Sequence, residues 1–316
     1  MVAGVLITMA TTRLISTAHG TNREAFTAID WTLFLALSGI WGSSFLLMAI
    51  GLDSFHPGVV TFIRVSLGAC FLGLLPRTRA VRIDREDWPR IVLLAATWVG
   101  IPFTLFPIAQ QWIDSAVAGM LNGSTPIFTA VIATILLRAL PGPRQILGLF
   151  IGFAGIMAIA LPSAGEGTTA AIGVVLVMTA TLGYAISLNI ATPLQQKYGS
   201  LPVMARVLAT ATVLVLPFGL AGLGNSSLSW ASLLAVAATG VLGTGLAFIL
   251  VGSLLGSVGA TRTSFITYLI PVVALILGVV FRDEIISPVA IAGVGLVIAG
   301  AILASRRESN LRSRPS

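Results

Sequence analysis

Long apolar runs alternate with short polar connections from residue 30 to residue 305. Each run is close to the roughly 20 residues that a helix needs to span the hydrocarbon core of a bilayer. The runs cover residues 30–50, 57–76, 90–110, 115–137, 145–162, 170–192, 201–222, 229–252, 264–281 and 288–305. The connections are rich in Gly, Pro, Ser and charge, which is typical of turns. No run has the alternating polarity of a transmembrane β-strand. The pattern therefore predicts an all-α membrane protein with ten transmembrane helices.

The helix-disturbing residues of the first half recur in the second half, 145 positions later. In this register Pro126 matches Pro271, and the other matched pairs include Pro143/Pro288, Gly100/Gly245, Gly148/Gly293, Gly155/Gly300 and Phe103/Phe248. Five helices in each half is an odd number, so two related halves must have opposite orientations in the membrane. Inverted repeats of this kind occur in secondary transporters, which bind substrate near the midplane between the halves. We therefore predict one repeat over residues 30–162 and a second over 170–305, with a duplication retained only for packing as the alternative.

Composition and charge agree with a membrane location. The chain is 56% hydrophobic and 9% charged, whereas a soluble domain carries about 25% charged residues. If the N-terminus is cytoplasmic, 15 of the 18 Lys and Arg residues lie on the cytoplasmic side, Arg282 lies outside, and Arg64 and Arg206 lie within helices. This asymmetry accounts for the net charge of +7 and removes the case for a nucleic-acid partner. It predicts a multi-pass protein of the cytoplasmic (inner) membrane with a cytoplasmic arm (1–29), a basic cytoplasmic tail (306–316) and both termini in the cytoplasm.

Several segments carry the motifs of a known family. "ALSGIWGSSFLLMAIG" and "HPGVVTFIRVSLGACFLGLL" resemble the first two helices of EamA-type members of the drug/metabolite transporter superfamily, and "STPIFTAVIATILL" and "YLIPVVALILGVVFRDE" resemble the fourth and ninth. The resemblance covers residues 30–305. It implies ten helices, cytoplasmic termini and movement of small metabolites, often outward. Two departures weaken any inference about the substrate: the first half reads Leu137-Arg138-Ala139 where the family usually has a Glu, and Tyr184 stands where Trp is common.

Polar and aromatic side chains within the predicted helices mark a candidate substrate path, because such groups usually face the bundle interior or water. The most specific pattern places Asn122 before Pro126, and Thr267 and Tyr268 before Pro271. A proline frees the carbonyl four residues earlier, so we interpret both prolines as helix breaks. The candidate path consists of Trp41, Ser44, Arg64, Trp98, Asn122, Tyr184, Asn189, Thr267 and Tyr268. For each of these side chains, packing or a hydrogen bond to its own helix is the alternative.

Arg64 is the cation well inside a predicted helix of the first half. If the second helix begins at Pro57, Arg64 lies about 10 Å deep. Placing a guanidinium there costs on the order of 2–3 kcal/mol, so the group needs a partner or a function. It could extend outward or bind carbonyls freed near a helix break. It could also hold a substrate carboxylate. The sequence leaves both roles open.

The remaining chemistry points away from an enzyme. All eleven carboxylates lie at helix ends, in loops or in tails, so none occupies the mid-helix position expected for a proton-coupling group. The sequence has no metal-ligand cluster, phosphate-binding loop or nucleophile–base pair, and we predict no metal or cofactor. We predict an exporter of small metabolites such as amino acids, which works by alternating access. An uncoupled facilitator or channel-like uniporter for small solutes is the alternative. The predicted partners are a small neutral or zwitterionic solute and the lipid bilayer, and homodimerisation is left open.

Overall fold

The computed structural model of the protein describes residues 27–79, 81–137, 143–164 and 167–305. Within these ranges the regular elements are all helical. The α-helices are α1 (Ala28–Leu52), α2 (Pro57–Gly73), α3 (Trp88–Leu94), α4 (Ile101–Ala109), α5 (Ser115–Asn122), α6 (Thr125–Leu137), α7 (Pro143–Ala164), α8 (Thr168–Tyr198), α9 (Ser200–Ala221), α10 (Trp230–Gly240), α11 (Ala247–Thr263), α12 (Ile270–Arg282) and α13 (Pro288–Ser305). Most of the predicted arm (1–29) and all of the predicted tail (306–316) lie outside the described residues.

Several of the described helical stretches have the length and composition of membrane-spanning segments. Six helical stretches are long and apolar enough to cross a bilayer, namely Ala28–Leu52, Arg85–Ala109, Ser115–Leu136, Thr168–Tyr198, Ser200–Ala221 and Trp230–Leu254. Shorter apolar helices cover Pro57–Gly73, Ile146–Pro162, Ile266–Arg282 and Pro288–Gly300. Large apolar side chains such as Phe150 and Val213 are exposed, whereas Thr61, Thr181 and Thr244 are buried. A lipid environment explains this distribution, because backbone and polar groups are then satisfied inside the bundle. The predicted class, an all-α membrane protein, is confirmed, while the number of crossings and the repeat remain predictions.

Two predicted helix ends are wrong. The apolar run 170–192 predicts that α8 ends before Pro193. The helix instead contains this proline and continues to Tyr198. A long helix tolerates the lost backbone bond when neighbouring groups hold its last turn, and Lys197 and Tyr198 do so here. The apolar run 229–252 predicts a helix that ends at residue 252. In the structure α11, the last part of this helical stretch, reaches Thr263. Glycine is more frequent in membrane helices than in soluble ones, so the glycines there did not mark a connection.

Two π-helical turns occupy matching positions in the two halves. Ala95–Gly100 joins α3 to α4, and Val241–Leu246 joins α10 to α11. Within them, hydrogen bonds from residue i to residue i−5 link the Ile101 N–H to the Ala96 carbonyl and the Ala247 N–H to the Leu242 carbonyl. The first turn, shifted by the 145-residue offset of the repeat, falls on residues 240–245. A π-helical turn redirects side chains and is common at functional sites.

Helices α7 and α13 meet through glycines and pack antiparallel. A methyl group added to Gly155 would lie 2.7 Å from the Gly293 carbonyl oxygen, and one added to Gly300 would lie 2.6 Å from the Gly148 carbonyl oxygen. Gly148, early in α7, therefore meets Gly300, late in α13, and Gly155, later in α7, meets Gly293, earlier in α13. Only residues without a side chain allow two helix backbones to approach this closely.

Candidate substrate cavity

A cavity with about 720 Å³ of empty space, which includes the part open to solvent, lies between α1, α2, α4, α8, α11, the α5–α6 junction and the segment that precedes α12. Seven of the nine predicted path residues line it: Trp41, Ser44, Arg64, Trp98, Asn122, Tyr184 and Thr267. The rest of its wall consists of Phe45, Met48, Phe103, Phe106, Thr125, Leu188, Phe248, Val251, Thr263 and Ile270. The cavity is thus mainly apolar and aromatic, with a few polar groups and one cation.

The two other predicted residues lie outside the cavity wall. The Asn189 amide is buried and donates to the carbonyls of Ala185 at 2.9 Å and Thr129 at 3.3 Å, so it ties α8 to α6. Tyr268 is buried in the 3₁₀ turn that precedes α12. A polar residue in a membrane helix that bridges two helices has the same sequence signature as one that faces a cavity, which is why Asn189 entered the predicted set.

The chain leaves regular α-helix immediately before each of the two matched prolines. α5 ends at Asn122 and α6 begins at Thr125, one residue before Pro126. In the second half the 3₁₀ turn Ser264–Tyr268 ends two residues before the start of α12, whose second residue is Pro271. The Asn122 carbonyl, which Pro126 deprives of its backbone donor, accepts a hydrogen bond from the Thr125 hydroxyl at 2.7 Å.

Arg64 is buried, with only 4% of its surface exposed, yet its charge is not neutralised. Its Nε donates to the Thr244 hydroxyl at 3.1 Å, and its Nη1 donates to the Met48 sulfur at 3.1 Å. The guanidinium carbon lies 3.8 Å from the centre of the Phe103 ring. A thioether is a weak acceptor, and a cation–π contact is worth about 2 kcal/mol when desolvated. Within the described part of the chain, Arg64 forms no ion pair.

The π-helical turn of the second half supplies two of the groups that organise this wall. The Trp41 Nε1 donates to the Gly243 carbonyl at 3.1 Å. The Thr244 hydroxyl donates to the Thr239 carbonyl at 3.1 Å and accepts from Arg64. The matching turn of the first half carries Trp98, which is part of the cavity wall. The first π-helical turn therefore lines the cavity, and the second holds two side chains of the cavity wall in place.

Aromatic rings form two groups around the cavity. Trp98 and Trp41 stand edge-on to Phe248, with ring centres 5.4 and 6.5 Å away. Phe106 stacks on Tyr184 at 5.8 Å and meets Phe45 edge-on at 5.3 Å. Edge-to-face and offset arrangements at these distances are favourable, so the rings hold one another in place. They form a rigid apolar surface for the body of a small solute.

The Asn122 side chain adds an unsatisfied polar atom to the wall. Only 5% of the residue is exposed, and its Oδ1 has no hydrogen-bond partner among the described residues. Leaving a buried acceptor unpaired costs about 1–3 kcal/mol. Because Asn122 lines the cavity, this acceptor lies at the cavity wall.

At one end of the bundle, here called the Glu284 end, α12 packs against α5. A methyl group on Gly119 of α5 would overlap the Ala274 Cβ of α12. The Glu284 carboxylate, just after α12, accepts from the backbone N–H groups of Ser115 at 3.0 Å and Ala116 at 2.8 Å. It also accepts from the Ser115 hydroxyl at 2.6 Å, and so caps the first turn of α5.

A salt bridge reinforces the Glu284 end. Arg282, the last residue of α12, binds both carboxylate oxygens of Asp53 at 2.7 and 3.0 Å, in the connection that follows α1. Bidentate pairs of this kind fix geometry as well as charge. The end of α12 is therefore attached both to α5 and to the end of α1.

A charged cluster lies at the other end of α8. This helix begins near Ile113, beside the Glu284 end, so its last residues lie at the opposite end of the bundle. There the Lys197 ammonium contacts Asp84 and Asp87 at 2.8 Å each, and the Tyr198 hydroxyl lies 2.7 and 2.6 Å from the same two carboxylates. Lys197 and Tyr198 hold the pKa of Asp84 below its usual value. The contacts of Asp84 are therefore present at neutral pH and weaken only as the pH falls below about 4.

The chain matches the model of a known protein family in both of its halves. The model of the EamA-like transporter family matches residues 29–161 and again residues 171–306. The chain belongs to the EamA-like transporter family. The resemblance predicted from the motifs is therefore confirmed, and this EamA-like protein is a multi-pass membrane protein.

Its relatives are described as transporters. The uncharacterized transporter YdfC of Bacillus subtilis is 27% identical over 269 residues, which are 84% of this chain and 86% of that protein. A probable terminal-alkyne amino-acid exporter of Streptantibioticus cattleyicolor is 26% identical, over 90% of this chain and 96% of that protein. The uncharacterized inner membrane transporter YedA of Escherichia coli K12 is 24% identical, over 85% and 88%. A crystal structure with 17% identity superposes with a TM-score of 0.63 over 87% of this chain and 96% of the other, which shows a shared fold.

Sequence reasoning missed the apolar half of the cavity wall of this EamA-like protein. Phe45, Met48 and Phe106 face the cavity, but an apolar residue in a membrane helix looks the same in sequence whether it faces a cavity or lipid. The repeat held one usable signal, because it pairs Phe103 with Phe248 and both line the cavity.

Proposed function

We propose that this EamA-like protein is a secondary transporter that exports small metabolites such as amino acids across the cytoplasmic membrane. The observation that carries the proposal is the aromatic cavity inside the bundle, with Arg64 and the unpaired Asn122 oxygen on its wall. Such a cavity can enclose a small solute and orient it by a few polar contacts.

We further propose ten transmembrane helices in two inverted five-helix repeats. Three observations support this arrangement. The family model matches the chain twice, once in each half. The two π-helical turns fall at matching positions. The antiparallel contact of α7 with α13 joins Gly155 to Gly293 and Gly148 to Gly300, so it is unchanged when the halves are exchanged.

Alternating access follows from this proposal. The contacts of Glu284 and Arg282 hold the end of α12 against α5 and the end of α1, and we propose that they break when the solute leaves at this end. In inverted-repeat transporters the two halves rock about a central site, so that opening at one end accompanies closure at the other. The cluster of Lys197 with Asp84 and Asp87 lies at the opposite end and is formed in the same structure.

The substrate class is proposed to be a neutral or zwitterionic solute. A relative of 26% identity is described as a probable exporter of a terminal-alkyne amino acid, which supports amino acids as a starting point. The excess of Lys and Arg on one side supports cytoplasmic termini, and the name of the relative YedA supports an inner membrane.

An uncoupled facilitator is the second candidate. It is favoured by the absence of Asp, Glu and His from the described cavity wall, which leaves no carboxylate or imidazole there to carry a coupling proton. The two candidates differ in their response to a proton gradient, because only a proton-coupled exporter moves solute against its own gradient when the proton gradient is imposed.

Metabolite profiling tests the proposal. Cells with and without the protein are compared by mass spectrometry of the cell contents and the medium. We expect at least one small solute to accumulate inside the cells that lack the protein and to fall in their medium. The same solute should leave proteoliposomes that contain the purified protein, with saturable kinetics. If no small solute changes its distribution in either assay, the proposed function is wrong.

A further inference from the structure

We propose that Arg64 binds a carboxylate of the transported solute, so that the solute is a carboxylate-bearing zwitterion with an apolar body. This inference rests on the proposed transport function. It assigns Arg64 to substrate recognition, and it predicts that amines without a carboxylate are poor ligands.

Arg206 is the other arginine inside a predicted helix, and its partners differ from those of Arg64. Arg206 donates to the carbonyls of Thr78 and Pro202 and, at 2.9 Å, to that of Val81. Carbonyl oxygens satisfy a structural guanidinium well. Arg64 has a hydroxyl, a thioether and a ring instead, although it is the more deeply buried of the two. The structural role that the sequence left open therefore describes Arg206 better than Arg64.

The N–H donors of the Arg64 guanidinium are only partly occupied. Thr244 occupies Nε, and the weakly accepting sulfur of Met48 occupies Nη1. The Nη2 group has no hydrogen-bond partner among the described residues. A carboxylate that displaces the sulfur could accept from Nη1 and Nη2 together, which is the bidentate geometry that guanidinium groups favour. The Phe103 ring and the Thr244 hydroxyl hold the guanidinium in place from other sides, so little ordering is needed on binding.

The charges of the cavity wall also favour a carboxylate. The described cavity wall contains one cationic side chain and no anionic one. Charges in a partly desolvated cavity interact several times more strongly than in water. A carboxylate therefore gains a strong attraction, and a solute with only an ammonium group meets repulsion. The free Oδ1 of Asn122 can accept from the ammonium of a zwitterion, and the aromatic wall can receive its side chain.

The test uses the purified full-length protein in lipid nanodiscs and three probes of equal size. These are L-leucine, 4-methylpentanoate, which lacks the ammonium group, and L-leucinamide, which lacks the carboxylate. Trp41 and Trp98 line the cavity, so their fluorescence reports binding. We expect L-leucine and 4-methylpentanoate to bind at least tenfold more tightly than L-leucinamide. In Arg64→Gln this preference should disappear, and in Arg64→Lys it should shrink, because Lys keeps the charge but loses the fork.

Arg206→Gln is the matched control. It removes a guanidinium from a helix without touching the cavity, so it should lower stability but leave the ratio of the three affinities unchanged. If Arg64→Gln does not fold, the wild-type ratio and the Arg64→Lys ratio decide. Equal binding of L-leucine and L-leucinamide by the wild type, no binding of either carboxylate probe, or an unchanged ratio in Arg64→Gln would overturn the assignment.

The outcome is separable from that of the proposed function. If metabolite profiling finds a transported amine without a carboxylate, the protein remains a transporter and the role of Arg64 is wrong. If no solute is transported but the nanodisc assay shows carboxylate preference that depends on Arg64, the binding assignment stands and the transport proposal fails.

Discussion

Asn122 combines two properties that rarely meet in one residue of a membrane helix. It is the last residue of α5, where Pro126 frees its carbonyl for Thr125, and its buried side chain faces the cavity with an unpaired oxygen. Thr267 holds the matching position before Pro271 and also lines the cavity. A buried polar residue at a helix break is expensive to keep in a bilayer, which is an argument for a function at both positions.

We expect Asn122→Phe and Thr267→Phe each to abolish transport while membrane insertion stays normal. A phenyl ring at either position would fill part of the cavity and remove the polar contact, and lipid-facing surfaces would be unaffected. Transport is measured as solute release from proteoliposomes, and insertion as the amount of monodisperse purified protein. The control is Thr179→Phe, an exposed threonine on α8 that bonds only to its own helix. Normal transport in both cavity variants would place the site elsewhere.

Among the elements, the first turn of α5 depends on a carboxylate from a distant part of the chain. Glu284 accepts from two backbone donors and a hydroxyl of that turn. An unsatisfied helix N-terminus inside a membrane protein is costly, so the cap both stabilises α5 and fastens α12 to it.

Glu284→Gln should weaken the attachment of α12 to α5 at the Glu284 end. The change removes the charge from three hydrogen bonds and should lower the free energy of unfolding by about 1–2 kcal/mol. It should also increase the labelling rate of a cavity cysteine, Ser44→Cys in a Cys70→Ala background, by a membrane-impermeant maleimide added at the Glu284 end. Asp283→Asn is the control, because this neighbouring carboxylate sits in the left-handed conformation at φ 53°, which Asn also accepts. Equal labelling of the Glu284→Gln and Asp283→Asn variants would show that the Glu284 cap does not control access to the cavity.

Element positions were predictable from the sequence, but their irregularities and partners were not. Apolar runs located the helices, because membrane crossing demands length and composition that few other structures need. Pro126 and Pro271 marked the helix breaks, since a missing N–H acts locally. The π-helical turns left no comparable signal beyond the repeated Gly100 and Gly245, because an i to i−5 bond requires no particular residue. The capping of Ser115 by Glu284 spans 169 positions and depends on the packing of α5 against α12.

At the scale of the whole molecule, the distribution of charge and the inverted repeat predict the same orientation of the chain in the membrane. Most of the Lys and Arg residues fall on one side only if the helix count is even, and an even count with inverted halves puts both termini on that side. The Glu284 end would then face outward and the cluster of Lys197 with Asp84 would face the cytoplasm. The orientation of the cavity follows from the same assignment.

Reporter fusions test this orientation. Fusions after Ser316 and between residues 77 and 90 should both report the cytoplasm, and a fusion between residues 163 and 169 should report the outside. Paired alkaline phosphatase and green fluorescent protein reporters give opposite signals at each site, and each fusion is therefore its own control. An exported C-terminus would make the helix count odd and remove the basis for inverted repeats.

The glycine contact of α7 with α13 bears on the ancestry of the chain. A contact that stays the same when its two helices are exchanged can join two separate copies of one polypeptide as readily as two parts of one. An ancestor of half the present length could have used Gly148 and Gly155, or their forerunners, to dimerise, provided that its copies inserted in both directions. Fusion of two such genes would have fixed one copy in each direction. Each copy would then have been free to diverge, and Ala139 and Glu284 differ at matching positions.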